Sequence, residues 1–257
     1  MSLALVLLAT GCASNYNLAT QRVERTMTST EREVDIGRTL ATQVKKELTV
    51  VPDEPLQERV RAIGARLAAV CGRQELVYSF AVVKDKEINA FSLPGGYVFL
   101  NEGLVNKTAN DDELASVIAH EIGHIAARHA VKRFETSLGL QLVQLATMAA
   151  ARGTGSDPRG VGIAIRAAQL AYARQDELQA DRLAVQYLKA AGFDATAMLA
   201  FLTRLHHVEA DKVHYMPPGI IRPEYAMSHP FVSERIRTVK EALYGVADYV
   251  DYLNTEN

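Results

Sequence analysis

The chain has 257 residues, of which 48% are hydrophobic, so it is long enough to bury a sizeable core in one or two domains. Its 28 lysines and arginines nearly balance its 30 aspartates and glutamates, which gives a net charge of -2 without any basic block that would follow a phosphate backbone. A nucleic-acid partner is therefore not expected. The 2 cysteines exclude a disulfide framework.

Residues 1–12 resemble a fragment of a secretory signal peptide that ends in a lipobox-like sequence, LATGC. The apolar run is shorter than the ~20 residues a membrane-spanning helix needs. We expect Cys12 to carry a lipid anchor in the bacterial periplasm, with Ala13 favouring the outer membrane. Ala9 departs from the lipobox, which prefers leucine there, and no basic residue precedes the apolar run. The alternatives are a frayed apolar terminus and a disulfide between Cys12 and Cys71.

Residues 13–29 are expected to form a linker, followed by helices at 30–49 and 53–71. Asp53 is a typical N-cap, and both segments carry apolar residues at helical spacing. These residues are Val34, Ile36, Leu40, Val44 and Leu48 in the first segment, and Leu56, Val60, Ile63 and Leu67 in the second. The linker would therefore lead directly into a pair of amphipathic helices.

The pattern then changes to that of β-strands. Residues 76–85 are rich in β-branched and aromatic side chains, and residues 88–103 indicate two short strands around Pro94, Gly95 and Gly96. We expect these three strands to form a small antiparallel sheet.

From Asn110 onward the pattern is again helical, with loops predicted at 151–160 and 215–225. The apolar segment 138–151 contains two glutamines, which favours a packed helix over a membrane span. One α+β, mainly helical domain is therefore predicted over residues 30–245, with a tail at 246–257.

The sequence VIAHEIGHIAARH, beginning at Val117, contains a zinc-binding motif. Asn110 resembles the first residue of a capping box, which starts the helix just before the motif. His120 and His124 lie four apart on one helix face, from which two imidazoles can reach one Zn2+. Glu121 lies beside them as a candidate general base. The alternative, a pair of core histidines, would be costly to bury without partners.

Catalytic zinc takes a third protein ligand and keeps its fourth position for water. Glu177 and Asp181 lie four apart on a later predicted helix, so they share one face. Glu177 would complete a His2Glu site, and Asp181 could accept the N–H of a ligand histidine. The alternative is a solvated charged face that includes Arg174, Asp176 and Arg182. His129 is expected at the surface or behind the ligands, because it lies five residues beyond His124.

HEIGH followed by ExxxD, together with INAFSLPGGYVFLNEGL and SHPFVSERI, resembles the zinc metallopeptidase family that includes HtpX, the CAAX prenyl protease, BepA and LoiP. The resemblance covers residues 30–240. It implies a gluzincin-type fold with an HExxH helix and one zinc per chain. The implied zinc ligands are His120, His124 and Glu177, and the implied general base is Glu121.

The same resemblance implies further site residues. Asp181 would support a ligand histidine, Asn89 and Ala90 would belong to the strand that holds an extended substrate, and His229 or Arg235 would stabilise the oxyanion. His229 also follows a predicted loop at 206–228, which holds His206, His207 and His214. An imidazole on a mobile loop can occupy zinc's open position, so we expect self-inhibition by His229.

The function implied is that of a zinc-dependent endopeptidase that hydrolyses misfolded or envelope proteins. Its partner would be an unfolded or extended polypeptide. The alternative is a latent or inactive protease that acts as a chaperone-like binding or assembly factor. An intact Glu121 argues against an inactive site, because a purely structural zinc has no use for a base beside an open position.

Overall fold

The computed structural model describes residues 13–17, 19–136, 173–215, 229 and 232–245. Its elements are β1 (Ala13–Asn17), β2 (Arg22–Thr26), α1 (Thr30–Glu47), α2 (Glu54–Ala68), β3 (Ser79–Val83), β4 (Ala90–Leu93), β5 (Tyr97–Asn101), α3 (Glu102–Val105), α4 (Asp111–Ala126), α5 (Arg174–Ala191), α6 (Thr196–Tyr215) and α7 (Val232–Tyr244). Residues 129–136 are also helical. The predicted α+β, mainly helical class is confirmed.

Several predictions lie outside the described residues: the lipobox-like start, the packed helix at 138–151, the loop at 151–160 and the tail at 246–257. Cys71 is described, and it is a buried free thiol that contacts the Tyr78 hydroxyl at 3.2 Å. None of the described helices is both long enough and apolar enough to span a membrane.

Both early helices begin where the sequence predicts. The side chain of Ser29 caps α1, and that of Asp53 accepts the Leu56 N–H at 3.0 Å to cap α2. Within the predicted linker, β1 and β2 pair as an antiparallel hairpin. Its Asn17 amide donates to the Ala126 carbonyl at 2.7 Å, so the polar residues of this segment hold it against the end of α4.

The three-stranded sheet has the order β3-β5-β4. β4 and β5 form the antiparallel hairpin expected around Pro94, but β3 is parallel to β5, so the prediction of a wholly antiparallel sheet is wrong. The reason is that β4 does not lie next to β3 but leaves one strand position open between them. β5 turns back from β4 into that position, so it runs parallel to β3. Gly96, with φ of +101°, ends this turn and its carbonyl accepts the Ser79 N–H at 2.9 Å.

α4 lies in the core, where all of its residues from Glu113 to Ala126 are buried. It packs on α2, β4 and α5, and the crossing with α5 is close because position 123 is a glycine. A Cβ atom at Gly123 would lie 2.9 Å from the Ala180 carbonyl oxygen. The polar faces of α4 and α5 therefore meet within side-chain reach of each other.

α1 approaches the β4–β5 turn even more closely. A Cβ atom built on Gly37 would lie 1.8 Å from the carbonyl oxygen of Pro94. Because the obstacle is backbone, neither side can relieve the contact by a side-chain rotation. The glycine thus fixes α1 against the turn that connects β4 to the centre of the sheet.

Replacing Gly37 by alanine should lower the free energy of unfolding by about 1–3 kcal/mol, as overpacking does in other cores. Thermal unfolding of the purified protein measures this. The exposed Thr42 on the same helix provides the control, since Thr42→Ala should change stability by less than about 0.5 kcal/mol. Equal melting temperatures for Gly37→Ala and the unsubstituted protein would contradict the close approach.

Candidate metal centre

Four buried side chains converge at the crossing of α4 and α5. His120 and His124 come from α4, Glu177 comes from α5, and His229 lies shortly before α7. One ligand atom of each lies within 4.8 Å of the others, and each residue is at most 2% exposed. We call these four residues the donor cluster. The structure therefore brings together the three ligand residues predicted from the sequence and adds His229 to them.

The spacing of the donor atoms matches one small cation. His120 Nε2 lies 3.0 Å from His124 Nε2, 3.3 Å from His229 Nδ1 and 3.4 Å from Glu177 Oε2. Glu177 Oε1 lies 3.4 Å from His124 Nε2 and 3.3 Å from His229 Nδ1. A tetrahedral ion with bonds of about 2.0–2.1 Å holds its ligands about 3.4 Å apart. The donor cluster can therefore hold one divalent metal ion.

The electrostatics of the donor cluster also suit a cation. Burial raises the pKa of Glu177, but His229 and the two α4 histidines outweigh this and hold it well below its usual range. Burial lowers the pKa of His124 well below its usual value. The pKa of His120 is lowered by burial and Arg235, but its carboxylate neighbours outweigh them and raise it to about 9. A carboxylate thus stays charged in a buried site where a metal ion would neutralise it.

Asp181 lies behind His120, as the sequence predicts. His120 Nδ1 donates to Asp181 Oδ1 at 2.8 Å, which leaves Nε2 facing the donor cluster. Arg235 holds the same carboxylate through two hydrogen bonds, from Nε to Oδ2 at 2.9 Å and from Nη2 to Oδ1 at 2.8 Å. Arg235 Nη1 also lies 3.4 Å from Glu177 Oε2. The guanidinium is 1% exposed and directed at carboxylates that support the site.

Glu121 is 1% exposed and has a partner that the sequence analysis missed. The hydroxyl of Ser92 on β4 donates to Glu121 Oε2 at 2.8 Å, while Oε1 lies 3.4 Å from His229 Nε2. Alternation along the strand gave a usable indication, since it places Ser92 on the same face as Ala90. The carboxylate of Glu121 is therefore held in one orientation beside the donor cluster.

The two predicted substrate-strand residues begin the outer edge of the sheet. The carbonyl of Asn89 accepts the Asn101 N–H at 3.0 Å and so faces β5. The next carbonyl, that of Ala90, lies 3.3 Å from His229 Nε2. Among the described strands β4 pairs only with β5, so its other edge carries no described strand. The contact between Ala90 and His229 places the start of that edge beside the donor cluster.

His129 is buried, so its surface alternative is wrong and its place behind the ligands is the observed one. Its Nδ1 lies 2.9 Å from His124 Nδ1. The helical extrapolation failed because α4 ends at Ala126 and Arg128 adopts φ of +57°, which turns the chain back. Burial lowers the pKa of His129, against the opposing effect of Asp176.

The predicted loop at 206–228 is partly wrong. α6 continues to Tyr215, so its first ten residues are helical, and residues 216–228 lie outside the described part of the chain. The helix extends through residues 206–215 because they contain no proline or glycine, and the first proline, Pro217, comes two residues after Tyr215. His229 nevertheless reaches the donor cluster from this connection.

Comparison with known proteins agrees with this geometry. The family model described as peptidase family M48 matches residues 54–243, which is more than half of the chain. The chain belongs to peptidase family M48. The match covers α4, α5 and position 229, so it includes all four residues of the donor cluster. Membership in a metallopeptidase family implies a metal cofactor and a polypeptide substrate.

Curated relatives of this M48 chain come from bacteria and from mitochondria. It is 32% identical to the putative beta-barrel assembly-enhancing protease of Vibrio cholerae, over 82% of this chain and 44% of the relative. The beta-barrel assembly-enhancing protease of Escherichia coli is 29% identical over 80% and 42%. The mitochondrial metalloendopeptidase OMA1 of Schizosaccharomyces pombe is 29% identical over 69% and 50%. The chain spans less than half the length of the two bacterial relatives.

Replacing Asp181 by asparagine should weaken metal binding about 10-fold to 100-fold, the usual effect of losing a partner behind a ligand histidine. The substitution keeps the side-chain size but removes the charge that Arg235 and His120 share. Competition with a chromophoric chelator measures the affinity. Asp53→Asn, at an exposed helix cap where both residues function equally well, is the control. Equal affinities for Asp181→Asn and the control would contradict this role.

Proposed function

We propose that this chain is a zinc-dependent endopeptidase that hydrolyses peptide bonds in unfolded or extended polypeptides. The observation that carries the proposal is the convergence of His120, His124 and Glu177 with the carboxylate of Glu121 beside them. Two imidazoles and one carboxylate at tetrahedral spacing are the donor set of catalytic zinc, one ion per chain. When bound, zinc would acidify a water molecule and polarise the peptide carbonyl.

Glu121 is the proposed general base. Its carboxylate can take a proton from the attacking water and later deliver that proton to the nitrogen of the leaving amine. The hydrogen bond from Ser92 holds Oε2, which leaves Oε1 directed toward the His229 side of the donor cluster. Because the whole group is buried, the carboxylate needs little reorientation when a substrate binds.

The outer edge of β4 is the proposed substrate site. An extended peptide could add to this edge as a further strand, which would supply backbone hydrogen bonds with little demand on side-chain identity. Asn89 lies directly before β4, and Ala90 offers the first carbonyl that is turned away from β5. This arrangement supports hydrolysis of segments that have lost their own secondary structure, as expected for protein quality control.

Of the two oxyanion candidates, His229 borders both Glu121 and the β4 edge, whereas Arg235 is held by Asp181. We assign to Arg235 the role of orienting Asp181 and Glu177. His229 therefore remains the oxyanion candidate, as the alternative to the self-inhibitory role that we propose for it below.

Glu121→Gln should retain the metal but lower peptidase turnover by roughly 10²-fold to 10⁴-fold, because glutamine keeps the shape but cannot accept the proton. The assay is digestion of a peptide library by Glu121→Gln, the unsubstituted protein and chelator-treated protein side by side. Glu47→Gln, at an exposed position on α1, is the matched control. Unchanged turnover in Glu121→Gln, or turnover that survives the chelator, would refute the mechanism.

We further propose that the resting enzyme is self-inhibited by His229. Its Nδ1 completes the donor cluster at 3.3 Å from both His120 Nε2 and Glu177 Oε1, which corresponds to the position that water occupies in a catalytic zinc site. A fourfold protein ligand set is typical of structural zinc, so this observation also favours the alternative of a latent protease that binds clients without cleaving them. Removal of His229 separates the two.

His229→Ala should raise basal proteolysis, because only the molecules in which His229 has left the donor cluster are active in the unsubstituted protein. The increase equals the reciprocal of that fraction, about 10-fold if binding of His229 in the donor cluster is favoured by ~1.4 kcal/mol. Initial rates on an unstructured peptide, with zinc content measured in parallel, provide the test. His206→Ala on α6 is the control for loss of an imidazole outside the donor cluster. A lower rate in zinc-loaded His229→Ala would instead assign His229 to the transition state, and an absence of turnover in every variant would favour the binding factor.

For the cellular location, we propose the bacterial periplasm, with a lipid anchor at Cys12 on the outer membrane. The lipobox-like LATGC supports this, and the bacterial relatives are named for assembly of beta-barrels. We also propose that misfolded envelope proteins are the natural clients.

Radiolabelled palmitate should enter the full-length protein in its native cells, and Cys12→Ser should abolish the label. A known lipoprotein in the same cells is the positive control. The buried Cys71 gives the matched substitution, since Cys71→Ser should keep the label. Labelling of the control lipoprotein without labelling of this protein would show that Cys12 is not lipidated.

A further inference from the structure

The two histidines of α4 have different partners behind them. His120 donates to the carboxylate of Asp181, which is the common arrangement for a metal-ligating histidine. His124 instead faces a second imidazole, that of His129, which contributes no atom to the donor cluster. Carboxylates, carbonyl groups and water are the usual partners at this position, so an imidazole here is a distinguishing feature of the site.

The contacts of His129 favour one arrangement of protons. His124 Nε2 faces the donor cluster, so a neutral His124 that binds metal must carry its proton on Nδ1. His129 Nδ1, 2.9 Å away, accepts that proton when it carries no proton of its own. The proton of His129 then lies on Nε2, which faces Gln179 Oε1 at 3.0 Å and Asp176 Oδ1 at 3.4 Å. Each donor meets an acceptor along the chain from His124 to α5.

The side chain of the neighbouring Arg128 holds the turn before His129 by a separate set of contacts. Arg128, in the left-handed conformation, donates from Nη1 to Thr26 Oγ1 at 2.9 Å and from Nη2 to the Thr28 carbonyl at 2.6 Å. Its Nε also lies 3.0 Å from the buried Glu33 carboxylate. The turn that presents His129 to His124 is thus fixed by α1 and by the segment after β2.

We propose that His129 is a positioning residue that fixes the tautomer and the ring orientation of His124, with Gln179 and Asp176 fixing those of His129 itself. The inference deepens the proposed function, on which it rests, because it concerns how firmly the same site holds zinc. A ligand histidine that loses this acceptor loses a hydrogen bond in a buried site, and its ring is less firmly held toward the donor cluster.

The decisive comparison is between His129→Leu and His129→Asn. Asparagine places its Oδ1 close to the position of His129 Nδ1 and so keeps an acceptor, whereas leucine has a similar size without one. Zinc affinity is measured by competition with a chromophoric chelator, and ligand geometry by the visible absorption spectrum of the cobalt-substituted protein. Val131→Ala, at a buried apolar position in the same helical segment, controls for a general loss of packing.

We expect His129→Leu to weaken zinc binding about 10-fold to 100-fold and to change the cobalt spectrum, with His129→Asn restoring most of both. Wild-type affinity and spectrum in His129→Leu would overturn the proposal, and so would equal losses in His129→Leu, His129→Asn and Val131→Ala. If His129→Leu does not fold, Gln179→Met at a half-buried position decides, and an unchanged affinity and spectrum there overturn the proposal. If the wild-type protein binds no zinc, the proposed function fails as well, whereas loss of the His129 effect alone leaves it standing.

Discussion

The site depends on the close crossing of α4 and α5. Two helices of ordinary surface would lie 8–10 Å apart, with side chains filling the space between them. Gly123 and Ala180 remove that bulk at the point of crossing, so the histidines of one helix reach the carboxylates of the other. Each pair lies four residues apart, and one turn of each helix therefore presents two functional groups to the same volume.

This arrangement places several charges in the core, where an unpaired charge is costly. Asp181 and Glu177 are both fully buried, and the single guanidinium of Arg235 contacts both of them. Burial alone would raise the pKa of Asp181, but Arg235 and His120 outweigh it and keep the carboxylate charged. The contacts that hold the candidate ligands in place thus also compensate the buried charge.

The sequence allowed prediction of what is local and periodic. The HExxH motif, the ExxxD pair and the helix caps depend on spacing within one element, so His120, His124, Glu177 and Asp181 were found without coordinates. Contacts that depend on how the chain turns between elements were not found from spacing, and His229 and Arg235 entered only through the family resemblance. The parallel pairing of β3 follows from where β4 starts, and the place of His129 follows from one residue of positive φ, which no period in the sequence reveals.

His229 lies between the donor cluster and the edge of β4. One of its ring nitrogens lies in the donor cluster and the other lies 3.3 Å from the Ala90 carbonyl, so one imidazole spans the two places that an extended peptide would need. A peptide that adds to β4 would compete with His229 Nε2 for the Ala90 carbonyl. Loss of this contact would make it easier for His229 Nδ1 to leave the donor cluster. Substrate binding and opening of the metal position would then be linked through a single side chain, because the free energy of the first contributes directly to the second.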